Sequence, residues 1–139
     1  MRHLVAERGL AGEIEIESAG TGDWHVGDPA DERTRAAAMQ RGYRMEGRAQ
    51  QFRRVFFDRF DYVLAADQNN YRQLEQLAPD AAARRKIRLL RSFDPAAPEG
   101  AEIPDPYYGG PDGFEKVLDL CEAACRGLLE HLDRFIARR

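Results

Sequence analysis

From Glu13 onward the chain alternates short runs of strand character with stretches of helical periodicity, and this alternation constrains its fold more than any other feature. Glu13-Ile14-Glu15-Ile16-Glu17 alternates polar and apolar residues and predicts a strand with one face buried. Asp61-Tyr62-Val63-Leu64-Ala65-Ala66 and Lys86-Ile87-Arg88-Leu89-Leu90 predict two more strands. Residues 2–9 read as the last turns of a helix stopped by Gly9. Asp28 and Pro29 suit the cap and first position of a helix running to Gly42, because proline's missing N–H costs nothing there. Phe52 to Phe60 predicts a short helix, and Asp67 caps another that carries Tyr71, Leu74 and Leu77 on one side and ends before Pro79. The last helix, from about Asp112 to Phe135, is apolar at Phe114, Val117, Leu118, Cys121, Ala124, Cys125, Leu128, Leu132 and Phe135, a stripe that must pack on the sheet. Strands separated by helices pair in parallel through crossovers, so the expected fold is α/β, an open parallel sheet with helices on both faces. At 139 residues, 43% hydrophobic and 32% charged, the chain fits a single domain over 1–139.

In such sheets ligands sit beyond the carboxyl ends of the strands. The loop 18–27, the cap at Asp67 and the loop 91–110 all follow strands and should share that edge. The last loop holds Pro95, Pro98, Pro104 and Pro106, and a loop this long in a small domain points to a binding or active-site role. It ends in Asp105-Pro106-Tyr107-Tyr108-Gly109-Gly110. An aspartate before proline is biased toward extended backbone, so its carboxyl group can project into a cleft. Two tyrosines can wall a pocket for a flat substrate while their hydroxyls stay wet. The same composition also suits a plain surface turn with both rings packed under the C-terminal helix.

Composition removes several classes of function. A net charge of -3 and a pI near 5.7 argue against nucleic acid as a partner. Arg53-Arg54, Arg84-Arg85-Lys86 and Arg138-Arg139 read as solvated helix ends or strand flanks. No apolar run is long enough to span a membrane, and Met1 to Glu7 lacks the apolar core of a signal peptide. A cytoplasmic location and no membrane partner are expected. Cys121 and Cys125, four apart on one helix face, have Cβ atoms roughly 5 to 6 Å apart, too far for an unstrained disulfide. Both should be reduced thiols packed in the core; a helix interior has its N–H groups already bonded and cannot cradle a phosphate. His3, His25 and His131 are scattered, so neither metal nor cofactor is expected.

Ser18-Ala19-Gly20-Thr21, Trp24, Gly27, Pro29 and Arg33, then Phe60-Asp61-Tyr62-Val63, Asp67 and Asn70, then Asp105-Pro106-Tyr107-Tyr108-Gly109 with Phe114-Glu115, follow one another in an order and spacing that resemble low-molecular-weight protein tyrosine phosphatases. The resemblance covers nearly the whole chain. It implies hydrolysis of phosphotyrosine in proteins, a bacterial tyrosine kinase among the partners, through attack of a cysteine thiolate on phosphorus. It assigns Asp105 as the acid that protonates the leaving phenol and then activates water. Trp24 matches one aromatic wall of the cleft and Tyr107 and Tyr108 the facing wall. Ser18 matches a serine that steadies the phosphate loop, and Asp67 an acid beside that loop which also caps its helix.

One departure is large. The family form opens with a strand that runs into a loop of cysteine, five residues, arginine, and serine or threonine, then a helix; Met1-Arg2-His3-Leu4 matches the inside of that helix. Neither cysteine here has an arginine six positions later, since Arg126 follows Cys121 by five. The missing strand is central in the family's sheet, between 13–17 and 61–65, so two unpaired inner edges are expected. The expectation is an N-terminally truncated member without activity. A non-catalytic remnant or interaction module of the same fold is the alternative, and an arsenate reductase relative a third, although Cys121 and Cys125 are misplaced for its redox chemistry. A lesser departure lies at Glu46-Gly47-Arg48-Ala49, where the family often has a histidine.

Overall fold

The computed structural model describes residues 1–21, 32–43, 50–104 and 112–137. Its elements are α1 (Arg2–Glu7), α2 (Glu32–Gln40), α3 (Phe56–Arg59), β1 (Val63–Ala65), α4 (Gln68–Leu77), α5 (Ala81–Arg85), β2 (Ile87–Leu89), a 3-10 turn (Leu90–Phe93) and α6 (Gly113–Ala137). The two apolar runs pair in parallel, Val63 with Ile87, Leu64 with Arg88 and Ala65 with Leu89. Side chains alternate across a strand. Val63 and Ala65 are buried in one cluster with Phe57, Leu74, Ala83 and Ile87, which puts α3, α4 and α5 on one face of the sheet. Tyr62, of opposite parity, turns to the other face, where its hydroxyl meets His131 Nε2 of α6 at 3.0 Å. Helices on both faces of a parallel pair are the expected α/β arrangement.

Local chemistry starts and stops the helices. Asp67 and Asp80 sit in extended backbone, and their carboxylates accept from the N–H of Asn70 at 2.7 Å and of Ala83 at 2.8 Å. α5 was not expected from the sequence; a cap followed by three alanines, the best helix formers, accounts for it. Gly9 (φ 73°) and Gly42 (φ 84°) follow α1 and α2 in the left-handed conformation that glycine adopts freely, as their places in the sequence suggested. Phe52 to Phe60 is helical only over Phe56–Arg59, and Phe52 instead donates its N–H to the Gly20 carbonyl at 2.7 Å.

The strand expected at Glu13 to Glu17 is not there. The segment joins no ladder; an isolated parallel bridge from Gly20 to Gln51 lies just beyond it, and among the described residues β1 has β2 as its one neighbour. Ile14 and Ile16 are half-buried rather than buried. Alternation selects a face, but a strand needs a partner for its backbone groups. Side chains supply part of what a ladder would: Arg2 Nη2 donates to the Ile16 carbonyl at 2.7 Å, and Arg59 pairs with Glu15.

The stripe on α6 also differs from expectation. Ala124, Leu128 and Leu129 are buried, but Phe135 is 58% exposed and both cysteines are half-buried. The helix packs on two neighbours at once. Leu129 lies beside Leu4 of α1, while Gly127 and His131 meet the 3-10 turn. At Gly127 the approach is so close that a Cβ would lie 1.8 Å from the Phe93 carbonyl oxygen.

Candidate active site

The carboxyl end of β1 is where the chain gathers its polar groups. Asp67 follows the strand after one residue, is half-buried, and is held by its cap bond to Asn70. The stretch before Asp105 is laid across the same strand end. Ile103 donates its N–H to the Ala66 carbonyl at 2.8 Å, and the Glu102 carboxylate accepts the Gln68 N–H at 2.7 Å, filling one of the unpaired donors at the start of α4. Arg91 Nη1 donates to the Glu102 carbonyl at 3.0 Å from the 3-10 turn. Asp67, Arg91, Glu102, Ile103, Pro104 and Leu120 line a cavity of about 480 Å³ there. Arg91 Nε is buried with no partner of its own.

The long loop is therefore not structureless up to Pro104. It opens with the 3-10 turn, continues through a turn in which Asp94 accepts from the Ala96 and Ala97 N–H groups, and reverses at Gly100, where φ is 75°. A chain of turns each closed by a local bond delivers Pro104 to the strand end, and Asp105 is the next residue.

Two other parts of the site border are anchored separately. Gln50 Nε2 donates to the Ser18 carbonyl at 2.8 Å, and Gly20 donates to the Gln50 carbonyl at 2.8 Å, tying residues 18–20 to 50–52. Ser18 itself is exposed and is not among the residues lining the cavity. At the other border Arg41, one residue past α2, reaches α6 and binds Glu115 Oε2 at 2.5 Å, Glu122 Oε1 at 2.7 Å and Asp119 Oδ1 at 2.9 Å. Its hydrogen bonds to Glu122, then to Glu115, hold its guanidinium still further above its ordinary range. α2 follows the stretch containing Trp24 in the sequence and α6 follows the Asp105 loop, so Arg41 clamps together the two helices that come after those segments.

Of the expected site residues, Asp67 and the approach to Asp105 are brought together. Trp24, Asp105, Tyr107 and Tyr108 lie outside the described residues. Arg41, Arg91 and Glu102 were not singled out by sequence reasoning. Their partners are distant in the chain, 74 residues for Arg41 with Glu115 and 34 for Gln68 with Glu102, and no local pattern marks such pairs.

Cys121 is a poor nucleophile. Burial pushes the Cys121 thiol up from 9.0 to about 11, so it stays protonated at neutral pH. Both are free thiols on one face of α6.

A family model described as low molecular weight phosphotyrosine protein phosphatase matches residues 1–137. The chain is 48% identical over 129 residues to a low molecular weight protein-tyrosine-phosphatase of Streptomyces coelicolor, covering 92% of this chain and 79% of that one. It is 41% identical over 135 residues to low molecular weight protein-tyrosine phosphatase A of Mycobacterium tuberculosis, covering 96% and 80%. Among solved structures, a protein tyrosine phosphatase from Entamoeba histolytica with Hepes in its active site superposes with a TM-score of 0.88 at 33% identity, over 96% of this chain and 84% of that one. The chain belongs to the low molecular weight phosphotyrosine protein phosphatase family.

Proposed function

We propose that this chain, as a single domain over 1–139, is built to act on phosphotyrosine in protein substrates, and that its residues supply the acid–base and aromatic half of that chemistry. The observation that supports the reading is the stretch 100–104 pinned across the end of β1 beside Asp67, at the edge where an α/β sheet binds ligands, with Asp105 next in the sequence. Asp105 protonates the leaving phenol and then activates water. Trp24 on one side and Tyr107 and Tyr108 on the other hold the ring, with Ser18 and Asp67 in support. The substrates are phosphotyrosine proteins, a bacterial tyrosine kinase among them, and the site of action is the cytoplasm.

These residues alone do not turn over substrate. Attack on phosphorus needs a thiolate facing convergent N–H donors, and each missing donor for the developing oxyanion costs about 3 to 4 kcal/mol. Cys121 and Cys125 stand inside a helix whose N–H groups are already bonded, and Cys121 is protonated. Purified 1–139 is expected to leave para-nitrophenyl phosphate intact; turnover abolished by Cys121→Ser or Cys125→Ser would refute this.

Fusing ahead of Met1 a strand and a cysteine-to-arginine loop of the family's form tests the rest. Hydrolysis of a phosphotyrosine peptide is expected from the fusion, with kcat lowered by about 10² to 10⁴ on Asp105→Asn. A fusion that folds and hydrolyses the peptide equally well with asparagine at 105 overturns the assignment of the acid.

A further inference from the structure

Most arginines whose surroundings are described are taken up by partners within the chain. Arg8 holds Glu130 and Asp133, Arg41 holds three carboxylates, Arg59 holds Glu15, and Arg126 holds Glu122. Arg72 of α4 stands alone without one among the described residues, and two adjacent pairs are also not taken up. Arg53 and Arg54, just before α3, and Arg84 and Arg85, which close α5, are exposed, and their side chains make no ion pair or hydrogen bond among the described residues.

The fold brings together the segments that carry the two pairs. Phe57 of α3 and Ala83 of α5 share the same core cluster, Lys86 Nζ donates to the Phe57 carbonyl at 2.5 Å, and the Phe57 N–H donates to the Arg54 carbonyl at 3.1 Å. The end of α5 thus lies against the turn that opens α3. β2 begins two residues after Arg85, so the end of α5 lies at the amino-terminal end of that strand.

The face also has an apolar tip. Val55, between Arg54 and Phe56, is 54% exposed, and Phe56 and Phe60 stand half-buried behind it in an edge-to-face row with centroids 5.9 Å apart. Exposed Asp58 and Asp61 lie nearby and offset part of the charge, but four unpaired guanidiniums outnumber them in a chain whose net charge is -3. The two described cavities lie elsewhere, one beside Asp67 and the other between α1 and α6. A basic face with one apolar tip suits a flat anionic partner better than a peptide that needs a groove for its side chains.

We propose that this face, Arg53-Arg54-Val55 with Arg84-Arg85, docks on the surface of an anionic phospholipid bilayer. The sequence alone reads each pair as solvated and expects no membrane partner; their convergence beside an exposed valine is what the fold adds. Docking is peripheral, since no described helix is long and apolar enough to cross a membrane. Arginine stems lie along the interface with their heads among lipid phosphates, and Val55 enters the headgroup boundary. This goes beyond the proposed activity and does not depend on turnover.

The full chain is sedimented with vesicles of phosphatidylcholine alone and with vesicles containing phosphatidylserine, at low and high salt. Binding to the anionic vesicles only, lost at high salt, is expected. At about fivefold per arginine, Arg53→Ala with Arg54→Ala should weaken it about twenty-fivefold, and Arg84→Ala with Arg85→Ala equally. Val55→Ser should weaken it severalfold, and Arg72→Ala on α4 should leave it unchanged. All these sites are exposed, and an unaltered circular dichroism spectrum verifies folding. No binding, equal binding to both vesicle types, or binding indifferent to both arginine pairs overturns the proposal. So does retention on immobilised polyaspartate without vesicle binding, which would assign the face to an acidic polypeptide.

Discussion

Replacing Gly127 by alanine sets two effects of known sign against each other. In a helix interior alanine is favoured over glycine by about 1 kcal/mol, because glycine loses more backbone freedom on ordering. The added Cβ, however, would stand 1.8 Å from the Phe93 carbonyl oxygen, 2.8 Å from its carbon and 3.5 Å from the Asp94 nitrogen. These are backbone atoms of the turn that opens the long loop, not the end of a flexible side chain. Ordinary contact requires α6 and the turn to separate by roughly 1.5 Å, and overpacking of this kind costs about 1 to 3 kcal/mol, occasionally more. Separation would also pull Phe93 from His131, whose rings lie 5.3 Å apart, and loosen the Arg91 end of the cavity. Because backbone must move, the upper part of that range, about 2 to 3 kcal/mol, applies; less the helix gain, the expected net is a destabilisation of about 1 to 2 kcal/mol, or a fall in Tm of roughly 3 to 7 °C for a chain of this size. Gly12→Ala is the control: nothing lies within 4 Å of its Cβ position and its φ is not positive, so it should be neutral or slightly stabilising. Urea unfolding followed by circular dichroism measures both. A Gly127→Ala chain as stable as the parent would mean that α6 does not approach the turn as closely as described.

Asp67→Ala removes the cap of α4 and should cost about 1 kcal/mol in urea unfolding, while Asp67→Ser retains an acceptor and should lose less. Arg41→Ala leaves Glu115, Asp119 and Glu122 facing one another; it should destabilise by up to about 1 kcal/mol, and the difference from the parent should shrink at high salt. The raised Cys121 thiol gives an alkaline limb. Its proton is held more tightly in the folded chain, so its contribution is intact below pH 9.0 and is lost as pH rises toward about 11. Cys121→Ser should flatten stability over that window, and iodoacetamide should label Cys121 slowly at neutral pH; rapid labelling there would contradict its burial.

What could be read from the residues was what local chemistry decides. Asp67 as a cap, Gly9 and Gly42 as stops, and the runs containing Val63 to Ala65 and Ile87 to Leu89 each depend on neighbours a few positions away. Glu13 to Glu17 shows the limit of that reading. Its alternation is as regular as any in the chain, yet pairing is a property of two segments, and here the second is not supplied among the described residues. The borders of the candidate site fail to show in the sequence for a related reason. Arg41 looks like any arginine after a helix until Glu115, Asp119 and Glu122 are recognised as one face of α6, three and four positions apart, turned toward α2. Arg91 and Glu102 become meaningful only when the turns at Asp94 and Gly100 fold the loop back onto Ala66. The Asp105 motif carries the family resemblance, while these distant contacts fix the backbone that leads up to it. The strength of a motif and the geometry that makes it useful are thus separate kinds of information, and Glu102→Gln distinguishes them. It changes no motif residue and keeps an acceptor for the Gln68 N–H, but replaces a charge-assisted bond at the start of α4 with a neutral one. In the loop-bearing fusion it should lower turnover severalfold with Asp105 intact; full activity would mean that the anchoring of 100–104 does not govern where the acid stands.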